Sequence, residues 1–225
     1  MFYWWQYFRY FIYLAWNWNL RLAIFILHVE IKGEKKYKVH NSGIEKIPTH
    51  IPKLQREHAS VYQPVNFHTA ETLLNHLSDA DKTTGFLDAG CGKGRVISMA
   101  AHYGFNQIYG FDFAEEFCAA SQAVADRMEN IFPDCFIKID CQLADDYLVP
   151  HDVGILFLFN PFDHIIMDVF AKNVMQSLAE KPRPFMVLYA NPVCKNTWLQ
   201  LGFKEVFHFT KLTYLEGSIF TYTPQ

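Results

Sequence analysis

The chain has 225 residues, 51% of them hydrophobic and 19% charged, which is typical of a globular protein and excludes a disordered chain. Its net charge of −3 hides two parts of opposite sign, because residues 1–58 carry nine Lys or Arg against four Asp or Glu, whereas the remainder carries eleven against nineteen. The acidic main part suits a cationic ligand better than a polyphosphate.

The five cysteines contain no C-x-x-C pair and give no zinc or disulfide framework. A reducing, cytoplasmic setting is therefore expected.

The first segment, Tyr7 to Val29, has the composition of a membrane-spanning helix but is polar at its centre. Asn17, Asn19 and Arg21 would lie near the middle of a bilayer, where one Arg alone costs roughly 2.5 to 3.5 kcal/mol. Spontaneous spanning is therefore not expected. Two interpretations stay open: a helical cap folded onto the rest of the chain, which we favour, or an interfacial helix through which residues 1–38 touch a membrane peripherally.

The next segment, residues 30–60, is polar and punctuated by Gly and Pro, which predicts a linker with short local structure. We therefore divide the chain into an aromatic, basic N-terminal extension with its linker, residues 1–58, and one catalytic-sized domain, residues 59–225.

The main domain alternates between helices and short apolar strands. The pattern predicts helices at 67–77, 94–102, 114–131 and 164–178, and strands at 85–89, 107–111, 135–139, 153–159 and 185–190. Such a βαβ series gives a mainly parallel sheet with helices on both faces. The run at 154–159 lacks polar alternation, as a central strand requires. Residues 203–210 and 218–223 predict a terminal antiparallel hairpin with Gly217 in its turn.

A glycine-rich loop, Asp88-Ala89-Gly90-Cys91-Gly92-Lys93-Gly94, follows the first strand and opens a helix, which is the context of a cofactor loop. Glycines let the backbone lie directly against a ligand. A dinucleotide loop would need glycine at Arg95, and a P-loop would need Ser or Thr after Gly-Lys, so both patterns fail. Asp88 would repel phosphate but suits an ammonium or sulfonium group.

A second carboxylate, Asp112, ends the second strand 24 residues after Asp88. A carboxylate at this position can accept hydrogen bonds from both hydroxyls of a ribose. The loop and this acid together predict a cofactor that carries a ribose and a positive charge.

These residues resemble the class I S-adenosylmethionine (SAM)-dependent methyltransferases, over roughly residues 62–225. The family's first motif, acid-x-Gly-x-Gly-x-Gly, matches Asp88, Gly90, Gly92 and Gly94, and its strand-two acid matches Asp112. The resemblance implies a Rossmann-like αβα sandwich with a seven-stranded, mostly parallel sheet whose last strand is antiparallel. It also implies SAM as the cofactor, without a metal.

The resemblance further implies how SAM is held. The loop, including Ala89 and Cys91, would pack against the methionine part, while Asp112 holds the ribose and Phe113 flanks the adenine.

The resemblance implies two further cofactor contacts. At the end of strand three, Asp140, Cys141 and Asp145 are each candidates for a polar contact to adenine, and we favour the first two. Tyr62, in Tyr62-Gln63-Pro64, resembles the segment that closes over SAM in some relatives.

The buried fourth strand ends in Asn160-Pro161-Phe162, at the edge where such sheets bind ligands. This resembles the Asp/Asn-Pro-Pro-Tyr/Phe motif of methyltransferases that modify planar amino nitrogens, with one proline missing. The resemblance implies that Asn160 and the proline carbonyl accept hydrogen bonds from the target amine and that the aromatic ring stacks on it. Asp163 or His164 either takes a proton or begins the next helix.

We therefore predict a SAM-dependent methyltransferase whose acceptor atom is a nitrogen, in a protein, small molecule or nucleic acid. The alternative is a non-catalytic SAM-binding module whose N-terminal extension recruits a membrane or protein partner. A nucleotide-dependent oxidoreductase is disfavoured by Arg95.

Overall fold

The computed structural model describes residues 2–41 and 63–224, and its centre is a single seven-stranded sheet. The strands are β1 Gly85–Ala89, β2 Gln107–Asp112, β3 Phe136–Cys141, β4 Val153–Phe159, β5 Phe185–Ala190, β6 Lys204–Lys211 and β7 Leu215–Tyr222. Their spatial order is β3-β2-β1-β4-β5-β7-β6, and β7 runs in the opposite direction to the other six strands. This confirms the predicted Rossmann-like sheet with its antiparallel last strand.

Helices cover both faces of the sheet. They are α1 Phe2–Asn17, α2 Leu20–Tyr37, α3 Phe67–Leu74, α4 Arg95–His102, α5 Glu115–Ile131, α6 His164–Glu180 and α7 Lys195–Gln200. Strand β4 shows how the two layers form, because Ile155 and Phe157 belong to one hydrophobic core while Leu156 and Leu158 belong to the other. A strand buried on both faces has no polar side, which explains its unbroken apolar sequence.

The terminal hairpin differs from its prediction in the position of the turn. The chain turns at residues 212–214, where Leu212 and Thr213 have positive φ angles of 51° and 68°. Gly217 instead lies inside β7, and a Cβ atom there would come within 2.6 Å of the Phe209 ring. The placement of Gly217 in the turn was therefore wrong: this glycine leaves room for a cross-strand aromatic ring.

The N-terminal residues form a helical hairpin, and its second helix extends into the segment predicted as a linker. Asn19 begins α2 by accepting a hydrogen bond from the Leu22 amide at 2.8 Å. The helix continues to Tyr37, so the linker prediction was wrong for residues 30–37. The buried side of α2 packs on α3 and α4, with the Tyr37 ring stacked on Phe67. Within the two described ranges, no helix is long and apolar enough to cross a bilayer.

Candidate functional site

The glycine loop leaves β1 at the carboxyl edge of the sheet. Gly90, Gly92 and Gly94 have φ angles of 73°, 52° and 76°, a region that strongly favours glycine. A Cβ atom at Gly90 would lie 2.3 Å from the Cβ atom of Pro161. The glycine loop and the Asn160-Pro161-Phe162 segment are therefore in direct contact, although 70 residues separate Gly90 from Asn160 in the sequence.

Asp112 fastens this loop to the end of β2. Its Oδ2 atom accepts a hydrogen bond from the Gly92 amide at 2.9 Å, and its Oδ1 atom accepts one from the Ala114 amide at 3.1 Å. Burial raises the pKa of Asp112, and the hydrogen bonds from backbone amides act in the opposite direction. The carboxylate thus holds the central glycine in place at the same edge as Asp88.

Asp88 is the second buried carboxyl group of the site. Burial and, after it, the charge of Asp112 raise the pKa of Asp88 to about 8. Burial also raises the pKa of the Cys91 thiol well above its ordinary value, as do the two carboxylates. Two acidic groups in one buried region favour a positively charged ligand. Across residues 2–41 and 63–224, no group of three or more His, Cys, Asp or Glu is arranged to hold a metal ion.

The strand register places two of the candidate adenine contacts beside β2. Asp140 pairs with Phe111 and Cys141 with Asp112 across the β2–β3 ladder. Asp140 also forms an ion pair with Lys138 at 3.0 Å, and Cys141 is exposed. Both therefore lie next to the acid that ends β2.

The other two residues considered for the adenine side lie outside that ladder. Phe113 is half-buried and packs against Ala114 and Phe117 just beyond β2. Asp145 belongs to the segment after β3, where its backbone carbonyl accepts a hydrogen bond from Asn173 at 2.8 Å. Tyr62 lies outside the described residues.

Asn160 has a strained backbone and an unsatisfied side chain. Its φ angle is +42°, and its Oδ1 atom is buried without a hydrogen-bond partner among the described residues. Such an atom is costly to bury unless a donor reaches it. Strain of this kind persists only where the surrounding structure imposes it, and it clusters at ligand sites.

Phe162 occupies a different position from the one that the motif resemblance implies. The residue is only 8% exposed, and its ring packs edge-to-face on Phe170 with centroids 5.6 Å apart. It therefore anchors the segment in the core and offers little surface for stacking on an acceptor.

Asp163 and His164 lie at the start of α6. The Oδ1 atom of Asp163 accepts hydrogen bonds from the amides of Ile165 and Ile166, at 3.0 and 3.2 Å, as an N-cap residue does. His164 is the first residue of the helix and is exposed. Asp163 was considered either as a proton acceptor or as the residue that begins the next helix, and these hydrogen bonds fit the second role.

The sequence patterns did not predict that Arg95 connects the glycine loop to the N-terminal hairpin. Arg95, the first residue of α4, forms a buried ion pair with Glu30 of α2 at 2.8 Å, and its NH1 group also donates to the Val65 carbonyl. Its Nε atom donates to Asn41 at 2.9 Å. A positive charge at a helix N-terminus is unfavourable because it opposes the helix dipole. The position of Arg95 directly after the glycine loop, where a helix was predicted to begin, therefore indicates in the sequence that this arginine needs a negatively charged partner.

The comparisons with known proteins agree with this fold. Residues 87–180, from β1 to the end of α6, match the family model described as "Methyltransferase domain". The comparison with curated proteins gives no match. The family model covers less than half of the chain, and the solved structures described next share its fold.

Three solved structures illustrate the shared fold. A SAM-dependent methyltransferase from Aquifex aeolicus is 12% identical, with 68% of this chain and 88% of that chain covered and a TM-score of 0.53. An RNA methyltransferase from Salinibacter ruber, in complex with S-adenosylhomocysteine, is 13% identical, with coverages of 72% and 95% and a TM-score of 0.52. Magnesium protoporphyrin IX methyltransferase from Synechocystis, with bound SAM, is 14% identical, with coverages of 68% and 77% and a TM-score of 0.51.

Proposed function

We propose that the chain is a SAM-dependent methyltransferase. The observation that carries this proposal is the arrangement at the carboxyl edge, where two buried carboxyl groups, Asp88 and Asp112, lie beside three glycines with positive φ. When bound, SAM supplies a methyl group on a positively charged sulfur. The acidic surroundings favour that positive charge, and the bare glycine backbone permits close approach.

Each predicted cofactor residue has a role in this proposal. The loop, with Ala89 and Cys91, would lie against the methionine part of SAM, and Asp112 would accept hydrogen bonds from the ribose. Phe113, Asp140 and Cys141 would line the adenine side, and Tyr62 would close over the cofactor. These roles follow from the family resemblance and from the positions of the described residues at one edge of the sheet.

The acceptor atom in this proposal is an amino nitrogen. The buried Oδ1 atom of Asn160 lacks a donor among the described residues, and an acceptor NH group would supply one. Pro161 is fixed against Gly90, so Asn160 is held at a constant position relative to the cofactor loop. Methyl transfer depends mainly on placing the two reacting atoms in line, and this rigid contact serves that placement.

Calorimetry with SAM and S-adenosylhomocysteine tests the cofactor assignment. The wild type should bind both, and Asp112→Ala should lose most of that affinity. Asp134→Ala, which alters an exposed carboxylate after α5, is the matched control and should bind like the wild type. Absence of binding by the wild type, or unchanged binding by Asp112→Ala, would contradict the assignment.

Transfer of a labelled methyl group to separated protein, small-molecule and nucleic-acid fractions tests the acceptor. Label on nitrogen should survive mild alkali, whereas a methyl ester would be hydrolysed. Alkali-labile product would show that the acceptor is a carboxylate and not an amine.

A non-catalytic SAM-binding module that recruits a partner through its N-terminal extension is the second candidate. The exposed aromatic residues of α1, such as Trp16, favour recruitment. The unsatisfied Asn160 favours an enzyme, since a pure binding module needs no acceptor group there. Peripheral membrane contact by residues 1–38 and a cytoplasmic location also stay proposals.

A further inference from the structure

Helix α1 is apolar on two opposite sides. Its inner side, including Tyr10 and Leu14, packs against Leu22 and Ile26 of α2. Its outer side carries four large exposed side chains, which we call the outer face: Trp5, Phe8, Ile12 and Trp16. Spacings of three and four residues place them on one stripe of the helix. The residue at the tip of the hairpin, Trp16, is 88% exposed.

The exposed charged side chains of the described extension, residues 2–41, are all of one sign. The described part of the extension, residues 2–41, contains only two acidic residues, Glu30 and Glu34, and both are buried. Its six basic residues are all exposed: Arg9, Arg21, Lys32, Lys35, Lys36 and Lys38. The solvent-facing charge of the helical hairpin is therefore wholly positive, although the protein as a whole carries −3.

The hairpin lies at the same edge of the sheet as the candidate site. Leu14 and Leu22 share a hydrophobic cluster with Leu215, the first residue of β7. The start of β7 lies at the carboxyl end of β5, because Gly217 pairs with Ala190, the last residue of that strand. A surface bound by α1 would consequently lie near the edge that carries the glycine loop.

We propose that the outer face of α1 and the basic residues around it dock onto an anionic lipid bilayer, with the helix lying in the membrane interface. Tryptophan is enriched in the interfacial layer, and anionic headgroups attract basic side chains. An exposed stripe of four large apolar side chains is typical of an interaction site. The exposed charges of the hairpin are all positive, and within the described residues only Lys36 among them pairs with a carboxylate, Glu71 of the main domain, so an anionic surface is favoured over a neutral or basic protein.

Flotation of the full chain with vesicles tests this proposal. Vesicles of phosphatidylcholine containing phosphatidylglycerol should carry the protein upward, and vesicles of phosphatidylcholine alone should carry much less. Phe8→Ala/Ile12→Ala/Trp16→Ala should reduce the partition coefficient by at least about tenfold, because it removes three large side chains from the interface. Lys32→Gln/Lys35→Gln should reduce it by about fivefold for each charge removed.

A matched control separates docking from general hydrophobicity. Leu148→Ala/Val206→Ala removes two exposed apolar side chains far along the chain from α1 and should float like the wild type. Unchanged thermal unfolding would show that each variant is folded. Equal flotation with anionic and neutral vesicles, or wild-type flotation of the α1 variant, would overturn the proposal. Failure of the wild type to float would also overturn it. Self-association through the outer face would then identify a protein interface instead.

Discussion

Glu30 and Arg95 form a 2.8 Å ion pair in which both side chains are almost fully buried. Glu30 lies in the middle of α2, and Arg95 directly follows Gly94 of the glycine loop, so the pair joins α2 to the end of that loop. The Arg95 guanidinium also lies 4.1 Å from the centre of the Phe67 ring. The N-terminal hairpin and the cofactor loop are thus connected through one buried charge pair.

Removing one partner of this pair should destabilise the protein strongly. Arg95→Met leaves the Glu30 carboxylate buried without its counter-charge, so we expect a loss of about 3–5 kcal/mol in the free energy of unfolding. Urea denaturation measures this loss. The double variant Glu30→Met/Arg95→Met should lose less than the sum of the two single variants. Additive losses would show that the two charges do not stabilise each other.

The raised pKa of Asp88 predicts a pH dependence of stability. Because burial and Asp112 raise this pKa to about 8, the native state holds a proton that the unfolded chain releases near pH 4. The free energy of unfolding should therefore decrease as the pH rises from about 4 to about 8 and level off above that. Asp88→Asn cannot ionise and should show a smaller decrease in urea titrations across this window. Identical pH profiles for the two proteins would contradict the raised pKa.

The same group predicts proton release when SAM binds. A positive ligand favours the ionised form of Asp88, so binding near pH 7 should expel a proton. The binding enthalpy measured by calorimetry should then differ between phosphate and Tris buffers, which take up protons with different enthalpies. Asp134→Asn should retain the difference, and Asp88→Asn should lose most of it. A buffer-independent enthalpy in the wild type would argue against this linkage.

Gly90→Ala should damage the site more than a comparable change elsewhere. The new methyl group would meet Pro161 at 2.3 Å in addition to straining the positive φ angle, so we expect loss of SAM binding and about 2 kcal/mol of destabilisation or more. Gly104→Ala is the matched control, because Gly104 also has a positive φ, 91°, but nothing lies within 4 Å of its added Cβ atom. It should lose stability through backbone strain alone and still bind SAM. Equal SAM affinity in both variants would show that the contact with Pro161 does not shape the site.

Asn160→Ala should separate cofactor binding from catalysis. The glycine loop is untouched, so SAM affinity should change little, whereas methyl transfer should fall about 100-fold because the acceptor is no longer positioned. Single-turnover assays with saturating SAM measure this difference. Asn130→Ala, which removes an exposed asparagine from α5, should leave transfer unchanged. Full activity of Asn160→Ala would exclude the proposed role.

The core strands were the most predictable part of the fold. The predicted bounds of β1, β4 and β5 match the structure, because the three strands are buried and almost wholly apolar, with Asp88 of β1 as the one charged residue among them. Strands β2 and β3 extend one or two residues beyond the prediction, to Asp112 and Cys141. The ladder continues into these polar residues because parallel pairing depends on the backbone and not on side-chain polarity.

Other features of the site depend on contacts that sequence patterns do not contain. The Glu30–Arg95 pair spans 65 residues, and no periodicity connects the two. Gly90 was predicted in the loop, but its contact with Pro161 follows only from the β1–β4 pairing. The inward position of Phe162 likewise depends on Phe170 of α6, which a local motif cannot show.

The hydrophobic cluster that joins Leu14 and Leu22 to Leu215 has a consequence for synthesis on the ribosome. The α1–α2 hairpin emerges before every element it packs against, and the last of them follows about 190 residues later. At about 5–20 residues per second, the inner side of α1 stays without its final partner for roughly 10–40 s. During that interval the inner side of the hairpin is covered only by the hairpin itself, so the nascent chain exposes more apolar surface before the domain has formed than after it.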